Sequence, residues 1–297
     1  MISITEYLQQ IYEDFREEIE YSGDTLCELK KLSFEAGGLP NYNNIQIQRL
    51  YLLRYAFAYS FEYTKMYEEV LRDMNNPTDI SIASIGCGNM IDYWALIQAL
   101  DNSWNLDCNV RYVGIDEIDW NYRFDSRLQD EVHYLVGNAK DGFMKAEHLV
   151  SDVYFFPKSI SEFTDGEMNA IAEAFRTKII ERDTIYLCIS IRRNEYSQEI
   201  DINRTQQIYN ALLQNGFSAN CNYTRYTYYP NNTAIYLLDN NYIYPDEALE
   251  YLKHLSEKCE NYIETGVNCY NGCGCLNRQP VLKNGMICYQ VIKFERM

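Results

Sequence analysis

The sequence lacks the features that mark several large classes of protein. It has no run approaching the roughly 20 apolar residues that a membrane-spanning helix needs. Residues 1–10 contain neither a basic start nor a long apolar run, and the chain has no internal repeat or low-complexity tract. Only three of its 297 residues are histidines. We therefore expect a cytoplasmic globular protein with no secretion signal and no membrane partner.

Positive charge is also scarce. Lysine and arginine together number 26 against 43 acidic residues, which gives a net charge of −17 and a pI near 4.6. This balance argues against broad electrostatic capture of nucleic acid, which depends on neutralising phosphates. The hydrophobic content of 47% is ordinary for a globular protein, and the chain is long enough to bury a sizeable core.

A change of periodicity near residue 77 divides the sequence. Before it, Leu50, Leu53, Phe57 and Phe61 recur at helical spacing, and we expect an N-terminal helical cap over residues 1–77. After it, strand and helix patterns alternate over residues 78–297, which predicts a doubly wound, mostly parallel α/β sheet. The predicted strands are 79–86, 110–116, 131–136, 151–157, 184–191 and 286–294. The clearest helices are 90–101, 166–181 and 203–214, and a hairpin is predicted from 223–229 and 234–238.

The most specific local pattern is a glycine turn after the first predicted strand. A near-continuous apolar strand from residue 79 ends in Gly86-Cys87-Gly88, and helical periodicity resumes at once. Glycine allows a tight turn and a close backbone approach. This order cradles nucleotide-like ligands at the carboxyl end of a sheet. The next predicted strand ends in Asp116, whose carboxylate is placed to hold a ribose.

These residues resemble the first motif of the class I S-adenosylmethionine-dependent methyltransferases, an acidic residue, one spacer, then glycine-any-glycine-any-glycine. The segment Ser84-Ile-Gly-Cys-Gly-Asn-Met90 keeps two of the glycines. Ser84 stands in place of the acidic residue and Met90 in place of the third glycine, so this segment is an atypical copy of the motif. The resemblance covers about residues 79–240 and implies a seven-stranded Rossmann-like sheet. A dinucleotide dehydrogenase is disfavoured because its fingerprint needs a glycine where Ile91 stands.

The resemblance implies S-adenosylmethionine as cofactor. It places the ribose at Asp116 and the adenine at Asn138, where the family has an acid. Asp92, in the first turn of the following helix, either orients the methionine end of the cofactor or is a simple helix-start residue. The predicted cofactor-binding residues are Ser84, Gly86, Cys87, Gly88, Asp92, Asp116, Asn138 and Ala139.

The implied activity is methyl transfer to an acceptor, and the acidic composition favours a small molecule. In-line displacement depends on proximity and alignment, and a base is needed only if the nucleophile must lose a proton. No catalytic signature is present. The candidates are Tyr154, Lys158 and His148, with Glu162 also just beyond the fourth predicted strand. Two alternatives remain open, namely a non-catalytic module that binds S-adenosylmethionine or S-adenosylhomocysteine or serves assembly, and a protein or RNA methyltransferase.

The ten cysteines indicate reduced thiols or metal ligands when no secretion signal is expected. Four of them, Cys259, Cys269, Cys273 and Cys275, fall in a cysteine-rich C-terminal extension at about 245–285. Four thiolates can bind a structural zinc ion, although this spacing is irregular. We therefore hold zinc and free cysteines as alternative predictions. In the protein or RNA methyltransferase alternative, zinc would stabilise this segment as a recognition tail.

Overall fold

The computed structural model describes residues 2–21, 26–30, 40–267 and 273–297. The chain groups into two compact units. The first comprises Met1–Ala58, Trp120–Tyr122 and Asn232–Asn284, and the second comprises Tyr59–Asp119, Arg123–Asn231 and Gly285–Met297. The cap-and-domain division at residue 77 stays a prediction. Within the described residues, no helix combines the length and apolar character needed to cross a membrane.

The helices and strands follow one another along the chain as the alternation of patterns indicates. The helices are α1 (Ile4–Tyr21), α2 (Leu26–Leu29), α3 (Ile45–Asp73), α4 (Ile91–Asn102), α5 (Ala139–Lys145), α6 (Asp165–Thr177), α7 (Glu195–Gln214), α8 (Asp246–Lys253) and α9 (Glu260–Thr265). The strands are β1 (Asp79–Ile85), β2 (Asn109–Asp116), β3 (Glu131–Val136), β4 (His148–Leu149), β5 (Val153–Phe156), β6 (Ile179–Ile180), β7 (Thr184–Ser190), β8 (Phe217–Ala219), β9 (Thr227–Tyr228) and β10 (Cys288–Arg296).

The second unit is built on a mostly parallel sheet with the strand order β3-β2-β1-β5-β7-β10-β8. The first five of these strands are parallel, and β10 runs antiparallel between β7 and β8. Ile82 of β1 aligns with Tyr112 of β2 on one side and with Val153 of β5 on the other. The chain therefore moves outward from β1 to β3 and then returns to the other side of β1. This reversal is the topological switch point of a doubly wound sheet.

Both faces of the sheet are covered, as neighbouring residues of β5 show. Tyr154 packs edge-on against Phe175 of α6, with ring centroids 4.9 Å apart. Phe155 stacks on Tyr67 of α3 at 4.8 Å. Because successive side chains of a strand point to opposite faces, α3 and α6 lie on opposite sides of the sheet. This explains why β5 is buried along its whole length and has no polar alternation.

The predicted α/β fold is confirmed, with differences in its C-terminal part. An eighth short strand, β9, joins the sheet by pairing with β10. The last strand, β10, is antiparallel and lies inside the sheet, between β7 and β8. The predicted hairpin of 223–229 and 234–238 is wrong, because Thr227–Tyr228 pairs with β10 and Ile235–Leu237 forms a short 3-10 helix. The tyrosines of this segment alternate as the residues of a strand do, but the strand that pairs with Thr227–Tyr228 is β10 and not residues 234–238.

The first unit is helical and holds a buried arginine. Its α1 buries one face, including Leu8, Ile11 and Phe15, as the periodicity predicts. Arg54 of α3 is 2% exposed and donates from Nη2 to the backbone oxygens of Cys275 (3.1 Å) and Leu276 (2.8 Å). Burial lowers the pKa of Arg54 to about 10. The guanidinium therefore ties this end of the cysteine-rich segment to α3 through carbonyl groups.

Phe155→Ala tests the central packing of β5. The side chain is fully buried, so its removal is expected to lower the free energy of unfolding by about 3–5 kcal/mol. The matched variant Leu135→Ala, on edge strand β3 where the side chain is 49% exposed, is expected to change it by about 0.5 kcal/mol or less. Chemical denaturation measures both. Similar losses for the two variants would contradict the described packing.

Candidate functional site

The loops after β1, β2, β5 and β7 meet at one end of the sheet, which we call the carboxyl edge. The glycine turn follows β1, at the switch point between β2 and β5. Gly86 and Gly88 have φ angles of +71° and +55°, and Met90 at the start of α4 has +65°. Glycine adopts this left-handed region without a Cβ penalty. The sequence therefore forms the predicted turn, with Met90 taking the third left-handed position at some cost in strain.

Asp116, the last residue of β2, is hydrogen-bonded to the glycine turn. Its Oδ2 accepts from the backbone N of Gly88 at 2.8 Å, and its Oδ1 accepts from the backbone N of Ile118 at 2.9 Å. The backbone N–H groups of Gly86 and Cys87 both donate to the carbonyl of Ile115, at 2.8 and 3.2 Å. The turn is thus bound to the end of β2 by three of its own N–H groups.

Ser159, in the loop after β5, occupies the space beside Gly86. Its Oγ donates to the carbonyl of Ile85 at 2.5 Å. A Cβ added to Gly86 would lie 2.4 Å from the Cβ of Ser159. Gly86 is therefore required by the approach of a neighbouring loop as well as by its φ angle. The sequence pattern predicted that another group approaches the backbone closely at this glycine. In the structure that group is the side chain of Ser159.

A buried carboxyl lies in the first turn of α4. Asp92 is fully buried, and both of its oxygens accept from the Tyr112 hydroxyl, at 3.0 and 3.1 Å. Burial raises the pKa of Asp92 to about 6, and the hydroxyls of Ser84 and Tyr112 oppose that rise. Ser84 is itself fully buried. Cys87 is also buried, and burial raises the pKa of its thiol.

Asn138 follows β3 and begins α5. Its Oδ1 accepts from the backbone N of Lys140 at 2.9 Å, which makes it the N-cap of the helix. Its Nδ2 donates to the carboxylates of Glu117 and Glu167. Ala139 is buried at the first position of α5. The structure therefore places Asn138 near the end of β2, with its amide donors engaged by two carboxylates.

Lys158, in the loop after β5, belongs to a buried ion pair. Its Nζ donates to Oε1 of Glu62 at 2.9 Å and to the carbonyl of Ile191 at 2.7 Å. The Ser190 hydroxyl donates to the same Glu62 oxygen. Lys158 is 7% exposed and has a φ of +57°. Burial raises the pKa of Glu62, and Lys158 opposes that rise. This pair ties the loops after β5 and β7 to α3.

A second group of charges surrounds Arg192, directly after β7. Its Nη2 donates to Oε1 of Glu162 at 2.6 Å and to the carbonyl of Lys158 at 3.0 Å. Its backbone N donates to Oδ2 of the buried Asp201 at 2.7 Å. The position of Arg192 after a predicted strand was visible in the sequence. Glu62 and Asp201 lie within helices, and no local pattern distinguishes them there.

Two of the predicted catalytic candidates lie away from this edge. Tyr154 is 2% exposed on the face of β5 that packs against α6, and burial raises the pKa of its hydroxyl. His148 lies in β4, which precedes β5 and pairs with β6, and its ring contacts Glu181. The structure therefore brings Lys158 and Glu162 to the glycine turn and leaves Tyr154 and His148 outside that group.

The predicted zinc ligands are only partly covered by the structure, because Cys269 lies outside the described residues. Cys259 and Cys273 are buried and Cys275 is exposed. In the described part of the chain, no group of three or more histidine, cysteine or acidic residues is arranged to hold a metal ion. The described residues thus give no support to a zinc site.

No family model and no curated protein matches the chain. Solved structures are similar to it at low identity. YcgJ from Bacillus subtilis is 11% identical, with 78% of this chain and 98% of YcgJ covered and a TM-score of 0.40. A SAM-dependent methyltransferase from Archaeoglobus fulgidus is 12% identical, with 78% and 94% covered and a TM-score of 0.39. The 1,6-didemethyltoxoflavin-N1-methyltransferase of Burkholderia thailandensis, solved with S-adenosylhomocysteine, is 9% identical, with 79% and 78% covered and a TM-score of 0.40.

Gly86→Ala tests the crowding at the glycine turn, and Gly216→Ala is its matched control. Both glycines have a positive φ, but nothing lies within 4 Å of a Cβ built on Gly216. The control is expected to cost about 1–2 kcal/mol from backbone strain alone. Gly86→Ala is expected to cost about 1–3 kcal/mol more, because Ser159 must move. Equal losses in chemical denaturation would show that Ser159 does not restrict this position.

Asp92→Asn tests the burial of the carboxyl under the turn. A folded-state pKa near 6 lies above the unfolded value of about 3.9. Between these values the folded state binds a proton that the unfolded state has lost, so stability from this group falls as pH rises. From pH 4.5 to pH 7, the unfolding free energy of Asp92→Asn should gain about 1–3 kcal/mol relative to the wild type. A constant difference across that range would contradict the assignment.

Proposed function

We propose that this chain is a class I S-adenosylmethionine-dependent methyltransferase that acts on a small-molecule acceptor. The observation that carries the proposal is the hydrogen bond from the Gly88 backbone N to Asp116 Oδ2. It joins the glycine turn after β1 to the carboxylate that ends β2, next to the switch point of the sheet. Ligands of open α/β sheets bind in the crevice at that point.

The position of the Asp116 carboxylate fits a ribose. Its two oxygens accept from the backbone N of Gly88 and of Ile118, which fixes the orientation of the carboxylate at the end of β2. Asp116 is half-buried, and a carboxylate at this place can accept hydrogen bonds from the two hydroxyls of a ribose. Hydrogen bonds from hydroxyls to an ionised carboxylate are stronger than neutral ones. Asp116 is therefore the residue that we assign to direct cofactor contact.

The glycine turn favours a cofactor without phosphate groups. A turn that binds pyrophosphate directs its backbone N–H groups at the ligand. In this chain the N–H groups of Gly86, Cys87 and Gly88 donate to Ile115 and Asp116 instead. The adenosyl-sulfonium skeleton of S-adenosylmethionine carries no phosphate, so this arrangement supports it over a dinucleotide.

The other proposed cofactor residues support this contact. Asp92 joins the first turn of α4 to Tyr112 of β2, and Ser84 and Cys87 are buried at the two ends of this segment of β1 and its turn. Asn138 and Ala139 fix the start of α5 beside the end of β2. We assign the adenine to this side, where Oδ1 of Asn138 keeps one lone pair beyond its helix-capping bond.

When bound, S-adenosylmethionine supplies a methyl group on a positively charged sulfur. The contribution of the protein is to align the acceptor with that methyl group and to exclude water. The acidic chain, at −17 net charge, supports a small molecule over a polyanion such as RNA.

Structural zinc at Cys259, Cys269, Cys273 and Cys275 and a cytoplasmic location stay predictions from the sequence.

Asp116→Ala tests the ribose assignment. Loss of a charge-assisted hydrogen bond costs about 1.5–3 kcal/mol, so the Kd for S-adenosylmethionine and S-adenosylhomocysteine should rise about 10- to 100-fold. Isothermal titration calorimetry measures both ligands. The control is Asp183→Ala, which removes a side chain that is 94% exposed just before β7, and its affinity should match the wild type. Unchanged affinity in Asp116→Ala would refute the assignment.

A further inference from the structure

Among the carboxylates grouped at the carboxyl edge, Glu162 differs in its accessibility. Glu62 and Asp201 are 1% and 0% exposed, and Asp116 is the residue that we assign to the ribose of the cofactor. The Glu162 side chain is 32% exposed. Its Oε1 accepts from Arg192, whereas no donor among the described residues bonds to its Oε2. Glu162 therefore has an oxygen that is open to a ligand.

The position of Glu162 is fixed relative to the glycine turn. Its backbone N donates to the carbonyl of Ser159 at 2.8 Å. Ser159 in turn contacts Gly86 and bonds to the carbonyl of Ile85. On the other side, Arg192 joins the Glu162 carboxylate to the Lys158 carbonyl. Glu162 is thus three residues beyond Ser159, which packs the loop after β5 against the glycine turn. Its backbone is fixed by Ser159 and its side chain by Arg192.

The charges around Glu162 adjust its proton affinity. The pKa of Glu162 is raised to about 7, mainly because the carboxylate is partly removed from water. Repulsion from Asp116 at the end of β2 and from Asp201 of α7 contributes to the rise. Arg192, after β7, opposes the rise. A carboxyl with a pKa near the working pH is partly ionised and still a competent base. Both the accessible oxygen of Glu162 and the charges around it therefore suit a general base.

We propose that Glu162 is the proton acceptor of the methyl-transfer reaction, and that the methyl acceptor is a small hydroxyl or amine compound that loses a proton at Glu162. This inference rests on the proposed function. In the step, the oxygen or nitrogen of the acceptor forms a bond to the methyl carbon, and the carbon–sulfur bond breaks with its electron pair passing to sulfur. The acceptor proton passes to a Glu162 carboxylate oxygen, which leaves a neutral thioether and a neutral carboxyl group.

Arg192 is a positioning residue in this scheme. Its guanidinium holds Oε1 of Glu162 and leaves Oε2 for the acceptor. The bond from its backbone N to Asp201 fixes the start of the loop after β7. Lys158, paired with Glu62, is oriented toward the interior and supports the loop. The base is thus Glu162, and Lys158 is not required to lose a proton.

The test uses the whole chain as wild type, Glu162→Gln, Glu162→Asp and the control Glu173→Gln. Glu173 is also a half-exposed glutamate paired with an arginine, but it lies on α6 next to Arg176. Calorimetry with S-adenosylmethionine first tests cofactor binding, which Glu162→Gln should leave within about threefold. Formation of S-adenosylhomocysteine is then followed from pH 5.5 to 8.5, with water, phenol and ethanolamine as probe acceptors. Infrared difference spectra over the same range follow ionisation of the carboxyl group directly.

We expect the wild-type rate to rise with pH through a value near 7. Glu162→Gln should lower it at least about 100-fold, the lower end of general-base effects, and remove both the pH dependence and the matching infrared band. Glu162→Asp should recover part of the rate, and Glu173→Gln should match the wild type.

Equal rates in wild type and Glu162→Gln would overturn the assignment, as would cofactor binding without consumption above the protein-free rate. An infrared titration with no carboxyl ionising near 7 would also overturn it. Failure of the wild type to bind S-adenosylmethionine would overturn the proposed function instead, and the infrared titration would still report on Glu162.

Discussion

The hydrogen bond between Gly88 and Asp116 connects the parts of this protein on which its proposed function depends. It links the turn after β1 to the end of β2, and each of these strands has a neighbour on both sides in the sheet. The turn can make this bond because glycine occupies its left-handed positions. Since the carboxylate also accepts from the backbone N of Ile118, Asp116 fixes both the turn after β1 and the chain after β2, on one side of the switch point.

A network of charged side chains fixes the loops on the other side of the switch point. The Lys158–Glu62 pair is almost fully buried, and breaking one partner of such a pair leaves an uncompensated charge. It therefore holds the loops after β5 and β7 in one arrangement. Arg192 extends this network to the accessible Glu162. The buried charges hold the loops in position, and the accessible carboxylate is the one to which we assign the proton transfer.

The sequence predicted the parts of the fold that repeat a local pattern. The apolar run before Gly86 and the carboxylate at Asp116 were sufficient to place β1, the turn and β2. Where residue patterns are ambiguous, prediction failed. Tyrosines near Thr227 imitate a strand hairpin, and the internal position of β10 depends on pairing with β7 and β8, which are distant along the chain. The Glu62–Lys158 pair spans α3 and the loop after β5, so no local spacing signals it. Glu162 was visible only by its place after a predicted strand.

The proposed function depends first on the binding of S-adenosylmethionine at the carboxyl edge. Calorimetric titration of the intact chain with S-adenosylmethionine, S-adenosylhomocysteine and NAD tests it most directly. The described turn predicts saturable binding of the first two ligands and none of NAD, because its N–H groups are not available to a pyrophosphate. Binding of NAD in preference to both adenosyl compounds, or binding of none of the three, would contradict it.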